Sequence, residues 1–157
     1  MNTEHNQSAA VRAVVAYAAF EAAHWVGDYL VQQDTDAKAK GKHGPAGIAA
    51  CARHTASYTA TQALALYAAN RYLRVGITWR RAAAGLALSA ATHFVADRCA
   101  GHWSDDSDDA PLLVRAAHAA GHSGWLVADP GAGPLMDQAW HHGWIALAAV
   151  VVSGQDD

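Results

Sequence analysis

AAAGLALSAATHFVAD, residues 82–97, decides the fold. Fifteen of its residues, 82–96, carry no Asp, Glu, Lys or Arg, and alanine dominates them. Alanine favours helix because it loses no side-chain entropy there. The stretch ends in His93-x-x-x-Asp97, and residues four apart share one helix face. A carboxylate and an imidazole thus stand on an otherwise apolar face. Burying such a carboxylate costs several kcal/mol, roughly, unless a cation or hydrogen bonds compensate it.

The same arrangement recurs along the 157 residues. His24/Asp28, Asp137/His141 and, without a carboxylate, His54/Tyr58 have the same spacing in Ala-, Val-, Leu-, Trp- or Phe-rich surroundings. Ten histidines and 14 acidic residues give about 1.8 His–acid pairs at this spacing by chance. The excess in number is therefore modest, and the apolar helical context is what discriminates. His102/Asp106 lies in a polar loop and is set aside.

Outward from these pairs the chain predicts an all-α, single-domain bundle over 9–152 with flexible termini at 1–8 and 153–157. Four long helices are expected at 9–31, 45–72, 78–99 and 135–152, with a short one at 111–120. Ser8 is the expected cap of the first helix, Pro45 opens the second, and Asp109 caps the short helix. Residues 32–47, with Lys38, Lys40 and Lys42, read as a loop or frayed helix end. Ser104–Asp109 reads as a solvated acidic loop, and 121–134 as irregular.

The net charge of -3 does not favour nucleic acid as a partner. Met1–Ser8 lacks the layout of a signal peptide, and Cys51 and Cys99 form no CxxC pair, so a reduced intracellular setting without a disulfide is expected. The charge-free stretches 54–70, 82–96 and 138–155 fall short of the ~20 clearly apolar residues of a membrane span. A cytoplasmic or membrane-peripheral protein is expected. Membrane association, the membrane as a partner and multi-pass insertion stay as alternatives.

Helices of a bundle turn their polar pairs toward a shared centre. Histidine nitrogen with carboxylate oxygen suits a divalent metal such as Zn, Mn or Fe, as one ion or two. The competing reading is a purely structural His–Asp network. Glu21, one turn before His24, is a weaker candidate. His118/His122 resembles a zinc pair, but Gly121 and Gly124 interrupt its helix. Arg98 lies at the site's edge or faces solvent, and Trp25, Trp140 and Trp144 read as packing. No GxSxG, P-loop or dinucleotide-binding glycine motif occurs.

The run His24-Trp-Val-Gly-Asp28-Tyr-Leu-Val-Gln-Gln33 resembles the opening motif of an uncharacterised helical family of bacteria and phages, the domain of unknown function 3307 family. The later Lys40, Cys51-Ala-Arg-His54-Thr-Ala-Ser-Tyr58, His93-x-x-x-Asp97 and Asp137-Gln138-x-x-His141 follow that family's order. The resemblance covers about residues 15–150, excepting 101–134. It implies that these residues act together and brings no established activity.

Residues and resemblance together lead to a metal-dependent hydrolase, with phosphoesters as the favoured substrates. The metal ligands are His24, Asp28, His54, His93, Asp97, Asp137 and His141. Tyr58 and Lys40 are catalytic candidates, and Gln33 and Gln138 would contact an unidentified small-molecule substrate. The alternative is a non-enzymatic helical protein with a structural or metal-sensing network. A partner-binding module is a third reading. The oligomeric state is left open.

Overall fold

In the computed structural model, residues 3–154 are described, with side chains from residue 9 onward. Of the termini expected to be flexible, residues 3–8 belong to a helix and Ser153 ends another, while 1–2 and 155–157 lie outside the residues described. The protein is an all-α helical bundle. Four helices are long: α1 (Thr3–Val26), α3 (Gly44–Leu73), α4 (Trp79–Asp97) and α7 (Ala132–Ser153). Short helices α2 (Asp34–Ala37), α5 (Leu112–Ala117) and α6 (Ser123–Ala128) lie between them. A wide π turn occupies Gly27–Val31, and between His118 and His122 the chain kinks at Gly121 (φ 97°), the break expected there. There are thus more short segments than the single one expected. Residues 34–37 are helical where a loop or frayed helix end was expected, and 123–128 are helical where irregular chain was expected. Helix α1 already runs from Thr3, upstream of the expected cap at Ser8. Pro111 stands at the start of α5 with no side-chain cap, so Asp109 does not cap it.

The chain divides into two compact units. The first comprises Met1–Gln32, Ala56–Ala91 and His142–Asp157, the second Gln33–Thr55 and Thr92–His141. Helices α3, α4 and α7 each contribute residues to both.

In the first unit, Ala16, Ala19 and Phe20 of α1 bury with Ile145, Ala148, Ala149 and Val152 of α7. Their spacing of three and four is that of an amphipathic stripe. Leu66 of α3 and Ile77 complete this core. Gly85 lets α4 meet α7 closely, since a Cβ there would lie 2.3 Å from Val152 Cγ2. Asn70 closes the α3–α4 turn, its Nδ2 donating to Ile77 O (2.9 Å) and its Oδ1 accepting from Ile77 N (3.0 Å).

In the second unit, Cys99, Trp103, Ala110, Val114, Leu126 and Ala132 form the core. His118 Nε2 lies 3.0 Å from Trp103 O, and a carbonyl only accepts, so the proton sits on Nε2. Its Nδ1 lies 3.0 Å from Ser123 Oγ, which also donates to His118 O at 3.3 Å. Both ring nitrogens thus hold local structure rather than forming a zinc pair with His122.

No helix among the described residues is long and apolar enough to cross a membrane. Length is not what fails, since α3 has 30 residues. Arg53, His54, Gln62, Asn70 and Arg71 interrupt it, and Asp137, Gln138, His141 and His142 interrupt α7. This overturns multi-pass insertion, and with it membrane association and a membrane partner so far as they rested on a spanning helix.

Candidate metal centre

The second unit gathers five of the seven expected ligands from three helices: His54 of α3, His93 and Asp97 of α4, and Asp137 and His141 of α7. The His54 and His93 Nε2 atoms lie 3.0 Å apart, and each is 3.2 Å from Asp97 Oδ2. Tetrahedral and octahedral ions with bonds of about 2.0–2.1 Å space neighbouring ligand atoms about 2.9–3.4 Å apart. The triangle therefore has the dimensions of one face of a coordination polyhedron. His54, His93 and Asp97 are each 1 % exposed. Asp97 Oδ2 makes no hydrogen bond of acceptable angle despite its two close imidazoles. That suits an atom whose lone pairs face a cation.

The carboxylate's other oxygen reaches further groups. Lys40 Nζ donates to Asp97 Oδ1 at 2.8 Å. His141 Nε2 lies 3.9 Å from Oδ1 and 3.3 Å from Asp137 Oδ2. Asp97, Asp137 and His141 form a second group able to hold an ion. Burial alone would raise the Asp97 pKa, but His93 beside it and the charges of Lys40 and His54 outweigh burial. The carboxyl is held well below its usual range and is anionic at neutral pH. Asp137 is the open edge of the cluster, its side chain 21 % exposed.

Lys40 arrives by a device that spacing alone did not reveal. Arg98, next to Asp97, donates from Nη1 to Lys40 O and from Nη2 to Lys42 O (2.8 Å). His102 Nε2 lies 3.0 Å from Gly41 O. Three consecutive carbonyls of the lysine loop are thus held by residues just beyond α4. Gly41 is required for the approach, since a Cβ there would lie 1.9 Å from Ala100 O. Arg98, assigned in sequence to the site's edge or to solvent, positions this loop. Lys38 turns outward and pairs with Asp34. Arg53 braces α2 from α3, its Nη2 2.5 Å from Asp36 Oδ1.

Gln33 is exposed at the start of α2, and Gln138 is half-buried beside Asp137 on α7. His24 and Asp28 belong to the first unit and pair with each other, Nδ1 to Oδ2 at 3.3 Å. There His142 Nδ1 meets Glu21 Oε1 at 2.7 Å, a contact no short spacing announces. Trp25 is 48 % exposed and stacks on Tyr29, so it is not core. Tyr58, also in the first unit, accepts from Gln62 Nε2 (2.8 Å), while Ser89 Oγ donates to Gln62 Oε1 (2.8 Å). Gln62 and Ser89 carried no signal in sequence beyond polarity within apolar runs.

The protein is thus a helical bundle whose buried His/Asp clusters could hold a divalent metal ion. No protein-family model, curated protein or solved structure matches the chain.

Proposed function

We propose that the second unit binds a divalent transition metal, Zn, Mn or Fe, through His54, His93 and Asp97, and that the protein is a metal-dependent hydrolase of phosphoesters. The observation that carries this reading is the buried triangle of two imidazole nitrogens and one carboxylate oxygen with edges of 3.0, 3.2 and 3.2 Å. A bound ion would supply Lewis acidity, making a water more acidic and polarising the scissile group. Asp137, the open carboxylate, would take a proton at Oδ2, with His141 beside it to pass the proton on. Lys40 contributes a fixed positive charge suited to an anionic substrate, and Gln138 is placed on the helix that supplies Asp137. Membership of the domain of unknown function 3307 family belongs to the same proposal and supports only the grouping of these residues.

Protein purified without chelators and reloaded with Zn or Mn is expected to retain metal. His93→Ala should lower the affinity by more than about 100-fold, since even outer-shell partners are worth about 10–100-fold. Reloaded wild type that holds no metal ends the reading. Loaded wild type should hydrolyse p-nitrophenyl phosphate or its diester, and His93→Ala should not.

A second reading, a non-enzymatic structural or metal-sensing network, is favoured by closure. His54, His93, Asp97 and His141 are at most 2 % exposed, and Lys40 already partners Asp97 Oδ1. Metal retained without turnover of any ester or phosphoester would select it.

A further inference from the structure

We infer that Lys40 stands in the second cation position of a carboxylate-bridged site, so that the centre takes one metal ion and excludes another. This rests on the metal reading above and extends it to the number of ions. Two groups able to hold an ion, His54/His93/Asp97 and Asp97/Asp137/His141, share Asp97. A carboxylate shared in this way is the usual bridge between two ions about 3.5–4 Å apart. The two oxygens of Asp97 are not equivalent, however. Oδ2 faces the two imidazoles at 3.2 Å, whereas Oδ1 accepts from the Lys40 ammonium at 2.8 Å.

An ion on Oδ1 would sit about 2.0–2.2 Å from it and would compete with the ammonium for that oxygen. The two cations would crowd each other in a cluster largely cut off from water, where like charges are weakly screened. Lys40 cannot simply be treated as a loose surface chain. Its side chain is only 12 % exposed, and Arg98 and His102 hold the carbonyls of residues 40, 41 and 42. The fixed ammonium therefore supplies the positive charge that a second ion would bring, beside Asp137 and His141.

The test is metal stoichiometry with Zn and Mn, by elemental analysis after gel filtration, on wild type, Lys40→Met and Lys40→Arg. Wild type and Lys40→Arg should hold one equivalent, and Lys40→Met should hold two. Electron paramagnetic resonance of the Mn-loaded forms gives an independent readout. An isolated six-line signal is expected for wild type, and an exchange-coupled, broadened signal for Lys40→Met. Two equivalents in wild type, or one in a folded Lys40→Met, would overturn the inference and leave the metal reading intact. Zero equivalents in wild type overturns both. Circular dichroism checks the fold, and Lys40→Gln replaces Lys40→Met should the latter lose helicity.

Discussion

Asp97 is the residue around which the second unit's polar groups are arranged. Substituting it with Asn removes the negative partner of Lys40, His54 and His93 while keeping the shape. Breaking a buried ion pair from one side costs about 3–5 kcal/mol. Urea unfolding of Asp97→Asn should show a loss of that order, where an exposed pair such as Lys38–Asp34 should show about 0–1 kcal/mol. Burial pushes both thiols up, Cys51 and Cys99 each to about 11. Unfolded thiols ionise near pH 8.5, roughly. The unfolded chain then binds fewer protons than the fold, so these groups lower stability as pH rises from about 8.5 to about 11. Iodoacetamide at pH 8 should accordingly label both cysteines slowly in the fold and quickly in urea. His93/Asp97 and Asp137/His141 were legible because four-residue spacing is a property of the helix itself. Lys40 was a candidate through the resemblance, but its contact with Asp97 was not legible, because what turns it inward is Arg98, 58 positions away.

At the scale of elements, composition was enough to reveal the long helices, since alanine's preference acts locally. Their ends were less legible, because a helix end depends on what the following turn packs against. Residues 27–31 continue α1 as a π turn, and α7 begins at Ala132, with Pro134 tolerated in its first turn. Glycines separate the two situations in a measurable way. At Gly41 an added Cβ meets backbone at 1.9 Å, whereas at Gly143 in α7 nothing lies within 4 Å. Gly41→Ala should destabilise by about 1–3 kcal/mol through overpacking. Gly143→Ala should stabilise by about 0.5–1 kcal/mol through helix propensity. Thermal or urea unfolding of the two variants, with opposite signs, checks this account of the loop and the helix.

At the scale of the whole molecule, the division into two units was not legible. The same three helices feed both, and no shift in composition marks the boundary. Metal binding should discriminate between the units. A ligand present at 100 times its Kd stabilises by about 2.7 kcal/mol, worth about 5–10 °C in Tm for a chain of this size. Hydrogen exchange should show the added protection centred on the second unit, around His54, 93–97 and 137–141. The second unit is also discontinuous in sequence, since residues 56–91 separate its two pieces. The bonds that build its centre join positions 39, 57, 58 and 61 residues apart. Closing such long loops is entropically slow, and contacts of this kind form late. In stopped-flow refolding, recovery of far-ultraviolet helicity should therefore precede recovery of cobalt or zinc capture. During synthesis Asp97, Asp137 and His141 leave the ribosome long after Lys40 and His54, so a nascent chain passes through a long interval in which that lysine and histidine wait without the carboxylate they meet in the fold.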